Sequence, residues 1–202
     1  MTEGYGPRVA LLVIDIQNDF ASPGGSLYVA GGESIIPAVN DEIGRAAAAG
    51  SPVVYTQDWH PPTTPHFSTS GGLWPPHCVR ETVGAALHPE LRVQGTVVRK
   101  GTGGEDGYSG FTVRDPLTGD PHATGLLDVL AAHRIDTVVV VGLAGDHCVK
   151  ATALDGRALG YGVVVPLALT RFVMLQPGDD ERAVAQLREA GVTVVPERSP
   201  GP

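Results

Sequence analysis

Apolar runs alternate with amphipathic stretches along most of the chain. Six short runs are nearly continuous in valine, isoleucine and leucine, and they predict strands over residues 8–16, 52–57, 96–99, 137–143, 162–166 and 192–195. Strands of this kind, without polar alternation, are typical of a parallel sheet that helices cover on both faces.

The stretches between these runs predict helices over residues 34–49, 125–132, 148–159 and 179–190. Alternating strands and helices predict an α/β fold of three layers, α/β/α, around a mainly parallel six-stranded sheet. We expect residues 1–202 to form a single domain, because a chain of this length can bury one core. Residues 58–95 and 101–123 are rich in Pro, Gly, Ser and Thr and predict long loops, which are usually functional.

The composition indicates where in the cell the protein acts and which classes of binding partner it has. The formal net charge of −8 and the pI near 5.2 argue against a nucleic-acid partner or an anionic membrane. Two cysteines are too few for a disulfide framework, and neither a signal peptide nor an apolar run of the ~20 residues that span a bilayer is visible. We therefore expect a cytoplasmic protein; its oligomeric state, a homo-oligomer included, stays open.

Ionisable side chains stand where four of the predicted strands end. The apolar run of the first strand ends with Asp15, and the next three strands are followed by Asp58 and His60, by Lys100 and by Cys148. The carboxyl ends of parallel strands share one edge of a sheet, so these groups predict a site there. The predicted helix that begins at the cysteine favours a thiolate, through its dipole and free N–H groups.

The loop DWHPPTTPHFSTSGGLWPPHC offers four candidate metal ligands, Asp58, His60, His66 and His77. An Asp-x-His pair in extended chain points both side chains to one side. Imidazoles and a carboxylate suit Zn²⁺, Fe²⁺ or Mn²⁺. Spacing alone leaves open that these are ordinary loop histidines.

Six segments, taken in order, resemble the nicotinamidase/pyrazinamidase branch of the isochorismatase-like cysteine hydrolases. They are ALLVIDIQNDF, TQDWHPPTTPHFS, WPPHCVRETVGAALHPEL, VVRKG, GYSGF and VVGLAGDHCVKATALD, and they run from residue 10 to residue 155. The pairing of DWHPPTTPHFS with WPPHC distinguishes this branch from its relatives, several of which lack the metal-ligand set. The resemblance implies the isochorismatase-like hydrolase fold.

The resemblance also implies roles for individual residues. Asp15, Lys100 and Cys148 match a catalytic triad, and the backbone N–H groups of Ala144 and Cys148 match an oxyanion hole beside a cis Leu143–Ala144 peptide. The ligands of one divalent metal ion (Zn, Fe or Mn) match Asp58, His60, His66 and His77. The substrate ring is expected between Phe20 and Trp74, with Tyr108 and Phe111 bordering the same pocket.

The implied activity is hydrolysis of a small-molecule amide: nicotinamide to nicotinate and ammonia, through a cysteine thioester, as a step of NAD salvage. Pyrazinamide is expected to be accepted as well. Three alternatives stay open: a cysteine hydrolase of the same fold that acts on another amide or a carbamoyl compound, a non-catalytic binding domain, and a metalloenzyme that uses the Asp/His cluster alone. One departure from the family pattern is Gly145, where relatives usually carry Thr or Ser.

Overall fold

The computed structural model describes residues 4–197, and its centre is a parallel sheet. These residues contain nine strands: β1 (Val9–Ile14), β2 (Val53–Asp58), β3 (Thr96–Lys100), β4 (Thr112–Arg114), β5 (Pro121–Ala123), β6 (Thr137–Leu143), β7 (Gly162–Pro166), β8 (Thr170–Arg171) and β9 (Thr193–Val195). The order across the sheet is β3-β2-β1-β6-β7-β9, and every pairing in it is parallel. The short β8 pairs with β6, while β4 and β5 form a separate antiparallel hairpin.

Helices cover both faces of the sheet. They are α1 (Asn18–Ala21), α2 (Ile36–Ala48), α3 (Leu126–Ala132), α4 (Cys148–Ala158) and α5 (Asp179–Glu189). Successive residues of β1 alternate between two cores, with Leu11 and Val13 packed on the side of α2 and Leu12 on the side of α3, α4 and α5. This arrangement confirms the predicted three-layer α/β/α fold. No helix within residues 4–197 has the length and apolarity needed to cross a membrane.

The six predicted strands are all present, with ends that match or differ by at most two residues. Lys100 and Asp58, which were expected just after their strands, are the last residues of β3 and β2. The hairpin of β4 and β5 lies inside residues 101–123, which the composition predicts as loop, so that prediction is wrong there. Its second strand is fully exposed, and a strand without a buried face has no apolar alternation to reveal it.

Strand order explains why the polar groups meet. β3, β2, β1 and β6 are consecutive neighbours, and all run in the same direction. Their carboxyl ends therefore lie side by side, with Asp58 of β2 in register with Lys100 of β3. Asp15 follows β1 directly, and Cys148 begins the helix that follows β6.

Candidate active site

Asp15, Lys100 and Cys148 form one buried cluster at this edge of the sheet. The Lys100 Nζ lies 3.0 Å from the Asp15 Oδ2 and 3.7 Å from the Cys148 Sγ. The sulfur, one carboxylate oxygen of Asp15 and one of Asp58 lie within 4.8 Å of one another. The three residues therefore stand close enough for proton transfer and mutual electrostatic control.

Asp58 joins this cluster to a group of histidines. Its Oδ1 accepts a hydrogen bond from the Lys100 Nζ, and its Oδ2 lies 3.7 Å from the His60 Nε2. The buried Gln17 fixes the backbone on which this carboxylate stands: the Gln17 Nε2 donates to the Asp58 carbonyl, and the Asp58 N–H donates to the Gln17 Oε1, both at 2.8 Å. One carboxylate is thus held between an ammonium and an imidazole.

The two carboxylates beside Lys100 differ in proton affinity. Burial alone disfavours a charged lysine, but the carboxylates of Asp15 and Asp58 raise the pKa of Lys100 well above its usual value. Burial raises the pKa of Asp15 against the opposing effect of the ammonium, whereas for Asp58 the ammonium and the His60 ring outweigh burial and lower the pKa. Asp58 is therefore an anion, and Asp15 is the better proton acceptor.

The Cys148 sulfur rests as a thiol. Burial raises its pKa well above the usual value; the Lys100 ammonium opposes this effect, and the carboxylates of Asp15 and Asp58 add to it. The sequence-based expectation of a thiolate took account of the lysine and the helix N-terminus but not of burial beside two acids. A thiol nucleophile needs a base, and Asp15 is at hand.

Three buried imidazoles, those of His60, His66 and His77, offer nitrogens within 4.8 Å of one another. The His77 Nδ1 lies 2.7 Å from the Pro75 carbonyl oxygen, and the His66 Nδ1 lies 2.7 Å from the Asp106 Oδ1. Among residues 4–197, neither ring nitrogen of His60 has a hydrogen-bond partner. Buried imidazole nitrogens that lack partners and converge beside a carboxylate fit a divalent metal ion.

A narrow cavity opens onto both clusters. Phe20, Trp74, Tyr108 and His147 line it together with Cys148 and with two imidazoles of the second cluster, those of His66 and His77. The Trp74 Nε1 donates to the Tyr108 Oη at 3.0 Å, and the His147 ring packs edge-on against both of these aromatic rings. Apolar side chains from flanking loops complete the wall: Leu27, Val29 and Val173. Flat walls of this kind suit a planar ring.

Phe111 does not lie in this cavity. Its side chain is buried in the core on the side of α4, where its ring stacks on Tyr161 with centroids 5.9 Å apart. The expectation that Phe111 borders the pocket with Tyr108 therefore needs correction. In the GYSGF segment, the Tyr108 side chain lines the cavity, whereas the Phe111 side chain lies in the core between the sheet and α4.

The peptide bond Leu143–Ala144 is cis, as the resemblance implied. The Ala144 carbonyl accepts the N–H groups of His147 and Val149, each at 3.0 Å. Within the described part of the chain, the N–H groups of Ala144 and Cys148 donate to no acceptor. Two free backbone donors beside a nucleophilic sulfur can hold a developing oxyanion.

Sequence reasoning missed several contributors. One is Thr56, whose hydroxyl donates a hydrogen bond to the Asp15 carboxylate. It stands two residues before Asp58, so the period-two alternation of a strand could have placed both side chains on the same side of β2. His147, directly before Cys148, is not among the predicted site residues, yet its ring forms part of the cavity wall. No sequence pattern indicates the loop residues of the apolar wall, because their positions depend on tertiary packing alone.

Comparisons with known proteins agree with this geometry. The Isochorismatase domain model matches residues 9–197. The nicotinamidase/pyrazinamidase of Mycobacterium tuberculosis is 38% identical, over 92% of this chain and 97% of its own length. Among solved structures, PnC1 from L. infantum in complex with nicotinate superimposes with a TM-score of 0.86 at 36% identity, covering 97% of this chain and 96% of its own. The pyrazinamidase of Pyrococcus horikoshii in complex with zinc gives a TM-score of 0.83 at 35% identity, covering 94% and 99%.

Proposed function

Because the chain belongs to the isochorismatase domain family, we propose that it is a nicotinamidase, which hydrolyses nicotinamide to nicotinate and ammonia and also deamidates pyrazinamide. One observation carries the proposal: a buried acid–lysine–cysteine cluster and a histidine cluster face the same aromatic cavity. Relatives similar over almost their whole length include a nicotinamidase/pyrazinamidase and a structure with bound nicotinate, which supports the same substrate class here.

The first half of the reaction forms a thioester. Asp15 takes the proton of the Cys148 thiol as the sulfur attacks the carboxamide carbon. The N–H groups of Ala144 and Cys148 stabilise the resulting oxyanion, a contribution of ~2.7–4 kcal/mol per donor in other hydrolases. Asp15 then gives its proton to the departing nitrogen, the C–N bond breaks, and ammonia leaves.

The second half frees the acid. A water molecule attacks the thioester carbon while Asp15 accepts one of its protons. The C–S bond breaks, Asp15 passes its proton to the sulfur, and the product leaves as the carboxylic acid, which loses its remaining proton to the solvent to give nicotinate; the Cys148 thiol is restored. Throughout, Lys100 stays positively charged and balances whichever of its neighbours is anionic.

The metal site supports binding of the substrate ring. Asp58, His60, His66 and His77 would hold one divalent ion, zinc, iron or manganese, and such an ion, when bound, supplies a Lewis-acid contact for the ring nitrogen that orients the carboxamide. Phe20 and Trp74 would contact the faces of the ring. A zinc-bound relative supports this assignment of the site without fixing the ion.

We further propose that the product enters NAD salvage, and that the protein acts in the cytoplasm on a free small molecule, with neither nucleic acid nor membrane as a partner. The net negative charge of the chain supports the absence of a nucleic-acid or membrane partner. One described domain would carry the whole activity, since all the proposed site residues lie on one sheet edge and the loops around it.

The decisive experiment measures ammonia release from nicotinamide by the purified protein and by Cys148→Ala. We expect the variant to lose at least about 10³-fold in kcat/KM, the scale on which removal of a nucleophile acts in other hydrolases. Cys78→Ala is the matched control, because Cys78 is the other buried cysteine and lies outside the triad. Equal activity in Cys148→Ala and the wild type would contradict the cysteine mechanism and favour a metalloenzyme.

A substrate panel separates the remaining alternative. A hydrolase for ureido or carbamoyl compounds would use the same triad but need no ring-binding metal. We expect nicotinamide and pyrazinamide turnover to fall when the metal is chelated and to return when it is restored. Faster turnover of a carbamoyl substrate, unaffected by complete metal removal, would overturn the nicotinamidase assignment.

A further inference from the structure

The three imidazoles of the proposed metal site differ in what orients them. His77 faces a backbone carbonyl two residues away, and both ring nitrogens of His60 lack partners among residues 4–197. The ring of His66 differs from these two, because its Nδ1 lies 2.7 Å from the Oδ1 of Asp106, a polar side chain from a distant part of the chain. The two residues are 40 positions apart and belong to different loops.

Asp106 is itself held firmly. Its N–H donates to the Arg114 carbonyl at 2.8 Å, and the Arg114 N–H donates back to the Asp106 carbonyl at 2.5 Å, which ties the residue to the first strand of the β4–β5 hairpin. The Asp106 Oδ1 also accepts the Gly107 N–H at 2.8 Å. The carboxylate is half-exposed, but its position is fixed by its own backbone.

A second contact joins the same two loops. The Thr64 Oγ1 donates to the Gly104 carbonyl at 3.0 Å and accepts the His66 N–H at 3.3 Å. The loop that carries His66 is therefore bound to the loop that carries Asp106 both at the backbone and at the imidazole. Within this paired structure, the His66 ring cannot turn without losing its contact with the carboxylate.

We propose that Asp106 is a positioning residue for the metal site: it accepts the Nδ1–H of His66, holds the ring in the Nδ1–H tautomer and leaves the Nε2 lone pair for the metal ion. A neutral imidazole carries only one N–H, so the partner of one nitrogen decides which nitrogen is free to bind a metal. A carboxylate in this place also makes the ligand nitrogen more basic. The inference rests on the metal site of the proposed function.

The proposal has a matched set of variants. Asp106→Ala removes the acceptor, and Asp106→Asn removes the charge but keeps an amide oxygen that can accept the Nδ1–H. Glu105→Gln removes the same charge one residue away, from a carboxylate that accepts the Gly103 N–H at 2.7 Å. Loss of general electrostatic attraction for a cation would weaken zinc binding in both Asp106→Asn and Glu105→Gln, whereas the orientation of His66 depends on Asp106 and not on Glu105.

The first measurement is zinc affinity of the metal-free protein, by competition with a chromophoric chelator and without substrate. We expect Asp106→Ala to bind zinc about 10-fold more weakly, at the lower end of the usual effect because the carboxylate is half-exposed. Asp106→Asn should lie between Asp106→Ala and the wild type, and Glu105→Gln should match the wild type. Affinity unchanged in Asp106→Ala, or lowered equally in Glu105→Gln, would overturn the proposal.

The second measurement reads the tautomer directly. Long-range ¹H–¹⁵N NMR spectra of the metal-free protein, at a pH where imidazoles are neutral, should place the His66 proton on Nδ1 in the wild type and in Asp106→Asn, and distribute it over both nitrogens in Asp106→Ala. The same tautomer in all three would overturn the proposal. Nicotinamide turnover by the wild type, assayed after the metal has been restored, decides the proposed function separately.

Discussion

At the scale of single residues, one ammonium group lies between two carboxylates that face different partners. The Lys100 Nζ contacts both acids; the Asp15 carboxylate lies beside the sulfur, and that of Asp58 lies beside an imidazole. Thr56 is a further partner of Asp15: its Oγ1 donates to the Asp15 Oδ1 at 2.6 Å and accepts the Asp15 N–H at 3.2 Å. The hydroxyl favours the anionic form of Asp15 and so limits how far burial raises its pKa.

Thr56→Val removes this hydroxyl and leaves a side chain of the same shape. Without the donor, the anion of Asp15 is less stable, its pKa rises further, and the acidic limb of the kcat/KM profile should move up by about one pH unit. Thr56→Ser, which keeps the hydroxyl, is the control and should titrate like the wild type. The measurement is kcat/KM for nicotinamide as a function of pH; identical profiles for all three proteins would contradict the role given to Thr56.

Individual residues were predictable from the sequence where topology alone fixes their place. Asp15, Lys100 and Cys148 could be brought together because each marks the end of a parallel strand or the helix that follows one. Phe111 could not be placed, since a Gly-containing turn gives no indication of which way its flanking aromatics point. The sequence alone also gives no reason for the glycine at position 145. In the structure, a Cβ at Gly145 would lie 2.5 Å from the Phe172 Cε1, so the phenylalanine ring occupies the space that a side chain would need.

At the scale of elements, the turn that ends β3 connects the triad to the histidine cluster. Lys100 is its last residue, and Gly101 follows with a φ of +72°, in the left-handed region. A Cβ at Gly101 would lie 2.6 Å from both the Cε1 and the Nδ1 of His60. The strand can therefore end here, with the imidazole against the backbone, only if the residue after Lys100 is glycine.

Gly101→Ala tests this turn, and Gly119→Ala is a matched control. Gly119 has a φ of +76° with nothing within 4 Å of the added Cβ, so it reports the backbone cost alone, about 1–2 kcal/mol of unfolding free energy. Gly101→Ala should lower the free energy of unfolding by more, about 3 kcal/mol or above, because the His60 ring must move as well. Urea unfolding and zinc affinity should both separate the variants; equal losses in the two would contradict close packing of His60 on Gly101.

The elements differ in how far the sequence reveals them. The buried strands are visible as apolar runs, because both of their faces are covered. The β4–β5 hairpin is visible only in the structure, since two of its six residues are buried or half-buried and the rest exposed. That hairpin anchors Asp106, so the least predictable element of the chain is also the one that orients a proposed metal ligand.

At the scale of the whole molecule, burial of a proposed metal ligand opposes folding stability in acid. Burial lowers the pKa of His77 from its usual value of 6.5 to about 4, against the opposing effects of Asp58 and the Pro75 carbonyl. Between pH 4 and pH 6.5, His77 is therefore protonated in the unfolded chain but neutral in the folded protein. Folding therefore keeps this imidazole neutral, which is the form that can bind a metal, at the expense of stability below neutral pH.

The sign and size of this effect can be measured on the metal-free protein. Because the unfolded chain holds more protons in this window, the free energy of unfolding should rise with pH from about 4 to about 6.5, with about 3 kcal/mol due to His77. His77→Asn has no such proton to bind, so its urea-unfolding free energy should vary less over the same range by about that amount. Equal pH dependence in the two proteins would mean that the His77 ring is protonated as easily in the folded state as in the unfolded chain. The burial that prepares His77 for a metal would then have no cost in stability.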